Sequence, residues 1–371
     1  MPQDIDQMAD LSSIDQERLT QTGLEVEMKN RSGSFFQVDQ EIKQAASLAE
    51  GIEVLPIHEA LAKYAWLGDY SWKLVRKDKD QYTRFVADQP DPRGFVIIAR
   101  KGSRTVFPLQ TCLFLAKTPV QHVHNIIIAE EGAELHLISG CASASYTKTG
   151  SHIGISEFYV GKDAHITNTM IHNWGDEISV FPRSAAKVEE KGIFLSNYVC
   201  MQPVRKIQMS PVADLVGKNS IARFSSMVVC TPGSYMDLGS VARLSAEGAT
   251  AELLTRAITT GGTIISRGMI EGLTSHTKGH IECRGLILRD GIIHAIPEIK
   301  GDVVDTELSH EAAVGKIARD EIEYLMSRGL DEDVATSTII RGFLDVKIAG
   351  LPLSLQNQID AAIDSAEKSG F

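Results

Sequence analysis

The chain has 371 residues, enough for one large domain or two ordinary ones, with 43% hydrophobic and 23% charged residues. The 37 basic against 48 acidic residues leave a formal charge of −11, which argues against nonspecific binding to nucleic acid. No window approaches the roughly 20 apolar residues of a membrane helix, since runs such as GFVIIA and NIIIA stop short. The opening MPQDIDQMADLSSIDQ is acidic and lacks an apolar core, so no signal peptide is expected and a cytoplasmic location is. Cys112, Cys141, Cys200, Cys230 and Cys283 are scattered, odd in number and without a CxxC pair. They predict packed thiols rather than a disulfide framework.

Residues 1–93 read as a helical and irregular region. SSIDQERLTQTGL carries Ser13 and Gln16 at capping-box spacing and closes at Gly23. IHEALAKYAWLGDYSWKLV follows, with Leu61, Tyr64, Ala65 and Gly68 near helical spacing. The polar stretch 76–94, with Pro90 and Pro92, predicts a boundary.

From Gly94 to about 305 the pattern changes to short β-branched runs joined by tight turns. One kind of turn recurs at Gly132, Asp163, Lys191, Asn219, Gly248 and Gly279, at intervals of 31, 28, 28, 29 and 31 residues. A near-constant period of short strands is the mark of a solenoid. With no helices between strands, a βαβ sheet is excluded, because its crossovers are long. A right-handed parallel β-helix fits the period better than a sandwich or barrel. The last region, 306–371, reads as helical. Val314, Ile317, Ala318, Ile322, Leu325 and Met326 share a helical face ending at Gly329, a second helix begins in DEDVATSTIIRGFL, and LSLQNQIDAAIDSAEKSG makes a third.

The chain has no GxxxxGK[ST], no GxGxxG after a strand, no HExxH and no GxSxG. Nucleotide hydrolysis and the familiar hydrolase centres are not expected, and a scaffold rather than an enzyme is. A β-helical polysaccharide-active enzyme would need an acidic cluster with basic residues on an exposed face, and none is evident. In QHVHN, His122 and His124 share one face of a strand at chelating spacing, though two edge histidines are the plainer reading. In HTKGHIECRG, a compact HxxxHxxC metal site is set against strand alternation. Period 2 puts Ile281, Cys283, Gly285 and Ile287 on one face and His280, Glu282 and Arg284 on the other. Glu307, His310 and Glu311 are placed at a strand-to-helix junction. His310 follows Cys283 by 27 residues, about one period, so the two could meet on adjacent coils.

The stretches IIIAEEGAELHLISGCASASY, EFYVGKDAHITNTMIHNW, IECRGLIL and LSHEAAVGKIARDEIEYLMSRGLDEDVATSTIIRGF resemble the SufB/SufD family, over about residues 110–345. The family's members are β-helical core proteins of the Suf iron–sulfur cluster assembly system. Cys283 and the HEA motif make the chain more similar to the SufB scaffold than to SufD. By that resemblance Cys283 builds the nascent cluster at the interface of two core subunits. His310 and Glu311 are its implied partners for iron. Glu307 stands in for a family Glu at the position of Ser309. Cys141 is the implied acceptor of persulfide sulfur, expected as an accessible, activated thiol. His172, Asn173 and Trp174 fall where the family has Gln-Asn-Trp on an interior sulfur path. The resemblance further implies Fe2+ or a nascent cluster, of the 4Fe–4S type, and a reduced flavin as a further ligand. The implied partners are a SufC-like ABC-type ATPase on the C-terminal helices, a second copy of the chain, a sulfur donor and apo-recipient proteins.

Overall fold

The structure is a computed structural model that describes residues 5–27 and 30–344. Two long sheets face each other in a parallel β-solenoid of about 8 turns. The first sheet has ten strands. It begins with Glu41–Ser47 and Gly33–Val38, and then takes one strand from each coil: Leu109–Leu115, Glu134–Ser143, His165–Asn173, Ile193–Cys200, Ile221–Cys230, Thr250–Thr259, Thr277–Ile287 and Thr306–Gly315. The second sheet runs from Ile52–Pro56 and Phe95–Ala99 to Thr263–Gly272, on which Ile292–Gly301 pairs last. Among the described residues all pairings are parallel except the two at the N-terminal end, Gly33–Val38 with Glu41–Ser47 and Ile52–Pro56 with Phe95–Ala99.

The predicted turns are the coil corners. Gly132, Asp163, Lys191, Asn219 and Gly248 all have positive φ, from 53° to 75°. The sixth turn falls at His276, φ 58°, and not at Gly279, which lies inside a strand. At four of these corners the left-handed residue lets its amide cross to the next coil. Gly132 N–H donates to the Lys162 carbonyl at 2.9 Å, Asp163 to Glu190 at 2.9 Å, Lys191 to Lys218 at 2.8 Å and Asn219 to Glu247 at 3.0 Å. The corners are thus a hydrogen-bonded ladder of their own, which fixes the strand register as the sheets do.

Period 2 along each strand sends one set of side chains inward. Leu135, Leu137, Ile166, Phe194, Phe224, Leu253 and Ile281 stack in the interior. The N-terminal region is more strand-rich than its sequence suggests, since three strands between Gly33 and Pro56 complete the first coil. Helix α1 (Ser13–Gln21) is capped by Ser12, whose hydroxyl accepts from Asp15 N–H, rather than by Ser13. It lies on the outside of the first sheet, where Leu19 and Leu24 pack with Phe36, Cys112 and Phe114. Helices α2 (Ile57–Lys63) and α3 (Gln81–Ala87) cover the second sheet.

At the other end, ELSHEAAVG is a strand, Thr306–Gly315, and not the start of a helix. Pairing to Thr277–Ile287 along its whole length decides the matter: Leu308, His310, Ala312 and Val314 alternate on one face in register with Gly279, Ile281, Cys283 and Gly285. Helices α4 (Arg319–Ser327) and α5 (Glu332–Leu344) follow, with Gly329 at φ 95° in the turn between them. The third expected helix lies outside the described residues.

Candidate functional site

Cys283 points into the solenoid, one strand from its open end, and is 4% exposed. Its Sγ donates to Ser266 Oγ on the facing sheet at 3.1 Å. Burial pushes the thiol pKa up, opposed by the Ser266 hydrogen bond and by the Arg256 charge. As alternation predicted, His280, Glu282 and Arg284 face outward. His280 Nδ1 sits 2.9 Å from Ser309 Oγ, and His276 is in the turn. The compact HxxxHxxC arrangement does not exist.

The same parity divides the predicted partners. Cys283 is opposite Ala312, and His310 is opposite Ile281, so His310 is a diagonal neighbour of Cys283 on the inward face. Glu307 and Glu311 are opposite Lys278 and Glu282 on the outer face. There Glu307 pairs with Lys278 at 3.0 Å and Glu311 with Arg284 at 3.1 Å. The structure brings Cys283 and His310 to one face and leaves both glutamates on the other. Among the described residues, no group of three His, Cys, Asp or Glu side chains is arranged to hold a metal ion.

Cys141 also faces inward, 1% exposed, and burial pushes its pKa to about 12. An accessible, activated thiol is therefore not what this position offers. Its register neighbour on the next coil is His172, and Cys200 follows on the coil after. His172 Nδ1 is 2.9 Å from the Tyr198 hydroxyl, and its ring meets Trp174 edge-on with centroids 5.4 Å apart. Asn173 points the other way: its Nδ2 donates to Gln21 Oε1 of α1 at 2.9 Å, so it anchors the N-terminal helix. Of the three residues predicted on an interior path, His172 and Trp174 are interior and Asn173 is not.

Tyr198 links these residues to the opening of the interior. In the first sheet it is in register with Ser226, which is in register with Thr255, which is in register with Cys283. Met170, Ser226 and Thr255 face inward yet are only half-buried, so the space beside them is not filled by protein. A line of hydroxyls along partly open interior space therefore runs from the coil of Cys200 to Cys283.

Two features went unread in the sequence. Glu157, fully buried, accepts from Trp72 N–H at 2.6 Å, Leu74 N–H at 2.6 Å and Val75 N–H at 3.1 Å. Its other contact is His124 Nε2 at 2.8 Å. His124 is thereby engaged, while His122 Nδ1 contacts Gln40 Nε2 at 3.1 Å, and the two do not form a chelate. The second is His152, inside the solenoid, whose Nδ1 contacts Gln121 Oε1 at 2.8 Å. A charged residue in an otherwise apolar alternating face, as in GISEFYV, was the available signal for Glu157. Nothing local marked His152.

Residues 113–343 match the family model described as SUF system FeS cluster assembly, SufBD core domain. A SufBD family protein of Archaeoglobus fulgidus is 48% identical over 356 residues, spanning 96% of both chains. Another from Methanothermobacter thermautotrophicus is 43% identical, over 95% of this chain and 88% of its own. One from Pyrococcus horikoshii is 29% identical over the whole of this chain and 85% of its own. This chain belongs to the SufBD family, the core proteins of SUF iron–sulfur cluster assembly.

Proposed function

We propose that this chain is the SufB-type scaffold on which a nascent iron–sulfur cluster is built, with Cys283 as the thiol that receives iron and sulfide as substrates. The observation that carries the reading is the position of Cys283. It is one strand from the open end of the solenoid, on the interior line of Tyr198, Ser226 and Thr255, with His310 on its face. One thiol and one imidazole make a weak ligand set from which a cluster can leave, whereas four thiolates would hold it. Cys141 is then an interior relay thiol for sulfur, not an accessible acceptor at the surface, with His172 and Trp174 beside it. Asn173, Glu307 and Glu311 lie outside this route: Asn173 anchors α1, and the two glutamates pair with Lys278 and Arg284 on the outer face.

A second copy of the chain is the partner that suits the open end. Its inward residues there, Ile299 and Val314, are 38% and 39% exposed, and among the described residues the terminal strands have unpaired edges. A SufC-like ATPase docks on α4 and α5, and its nucleotide-driven movement parts the two copies and uncovers Cys283. The test is anaerobic purification with the co-expressed ATPase, followed by reconstitution with iron and sulfide and Mössbauer spectroscopy. Cluster is expected on the native chain and lost in Cys283→Ser. Equal yield from both would sink the assignment. The same preparation decides against a SufD-type partner role, in which the native chain takes up no iron.

A further inference from the structure

Deep in the solenoid, between the two sheets, lies a cavity of about 50 Å³. His152, His172, Tyr198, Ser156, Met170 and Met209 are among its lining residues, and no Lys, Arg, Asp or Glu is. Hydrogen bonds fix what the imidazoles present to it. The Gln121 amide N–H donates to the Asp39 and Phe114 carbonyls, which leaves its Oε1 as the acceptor for His152 Nδ1–H. The proton of His152 is therefore on Nδ1, and its Nε2 carries a lone pair. On His172 the assignment is reversed. A phenol is the better donor of two neutral groups, so the Tyr198 hydroxyl donates to Nδ1 and the ring proton sits on Nε2. That Nε2 is buried and has no protein partner, and the residue is 1% exposed.

Both rings stay neutral. Burial drives the pKa of His152 down to about 3, and burial likewise lowers that of His172 well below the ordinary histidine value. An anion entering this space would meet no compensating charge, and a bare ion buried so deeply is strongly disfavoured. A guest with one donor and one acceptor satisfies both rings at once. The cavity exceeds the roughly 10–15 Å³ needed to admit a single water molecule, and its walls include the soft thioethers of Met170 and Met209. Cys141 lies beside it, in register with His172. Gly154 completes the site: a Cβ there would stand 3.0 Å from His152 Nε2, so only glycine leaves that nitrogen open.

We propose that His152 Nε2 and His172 Nε2 together bind a small uncharged sulfur species bearing an S–H group, hydrogen sulfide. The sulfur then resides in the interior as a neutral molecule and not as hydrosulfide anion. Its part in cluster building rests on the function proposed above. The binding itself does not, and is tested separately. Crystals of the full chain are soaked anaerobically in sodium sulfide, and sulfur is located by long-wavelength anomalous scattering. A sulfur peak is expected between the two rings, weakening as the buffer is made alkaline. The peak should survive in Cys141→Ser, since free hydrogen sulfide needs no thiol, and its loss there would overturn the proposal. Gly154→Ala should abolish the peak while leaving the circular dichroism spectrum of the native fold. Water alone in the cavity, or a peak that persists in Gly154→Ala or strengthens in alkaline buffer, overturns the proposal. Any of these leaves the Cys283 reconstitution result standing.

Discussion

The two ends of the solenoid are finished differently. At the N-terminal end the chain turns back on itself: two antiparallel pairings stop the parallel sheets, α1, α2 and α3 cover them, and Phe35 is wholly buried against Phe95. At the C-terminal end the last coil continues the inward pattern with Ile293, Ile299, Leu308 and Val314, but among the described residues no strand beyond it is paired on. A solenoid needs a cap at each end, and among the described residues only the N-terminal one is built, which leaves the other for the partner proposed above. The thiol of interest is at the end that is left. Cys283 is shielded by a single strand, the one that carries His310.

This contrast can be broken by experiment. Phe35→Ala should destabilise the chain by about 3–5 kcal/mol in chemical denaturation, the loss typical of a buried aromatic. Ile299→Ala, at the open end, should change the stability of the isolated chain by less than about 1 kcal/mol. Ile299→Asp should in addition shift any self-association toward monomer in light scattering. Equal destabilisation at the two ends would erase the distinction.

Acid should act on the middle of the solenoid before either end. His152 titrates at about 3 in the fold against 6.5 unfolded, so its neutral form contributes stability that is full above pH 6.5 and is lost as the pH falls toward 3. Within that window the unfolded chain binds the extra proton. Each unit of pH therefore removes about 1.4 kcal/mol for this group alone, and His172 adds in the same direction. His152→Gln should remove its share of the slope in denaturation midpoints measured across the window.

Gly140 tests the closed end from outside. An added Cβ would meet Thr22 Oγ1 at 2.3 Å and Leu24 Cδ1 at 2.5 Å, so Gly140→Ala should cost about 1–3 kcal/mol and loosen residues 22–24 to proteolysis. The smallest effect is expected on the outer face of the last coil. Lys278 and Glu307 are both mostly exposed, and Lys278→Ala should change stability by no more than about 0.5 kcal/mol. A larger loss would mean that the outer ion pairs, rather than the backbone ladder, hold the final strand.

The architecture was legible because its signal is repeated. Six turns at nearly constant spacing outweigh the ambiguity of any one, and five of them are at the predicted residue. The sixth slipped by three positions because TSHTKG offers several turn formers; the chain turns at His276, whose amide reaches the Asp305 carbonyl at 2.8 Å. Features that occur once were harder. ELSHEAAVG has alternation and helical spacing together, and only the neighbouring strand decides between them. At the site, parity within GHIECRG correctly separated His280 from Cys283. The same rule, applied across the pair of strands, needed a register that no single sequence supplies, and that register sends Glu307 and Glu311 outward. Cys141 lay in a recognisable motif, but its burial depends on the coils stacked on either side.

The corner ladder described above also makes the molecule a ruler. From the row of Cys141 to that of Cys283 there are five steps between neighbouring strands, through His172, Cys200, Val228, Ala257 and Gly285 in the column next to Cys283. At about 4.8 Å for each step, the two thiols are set roughly 24 Å apart along the axis. That separation can change only in whole increments, by gain or loss of one coil of about 28–31 residues between left-handed corners such as Lys191 and Asn219. Chain length here is metric: an insertion of a few residues bulges out at a corner, whereas a complete repeat would move one thiol away from the other by a fixed and countable amount.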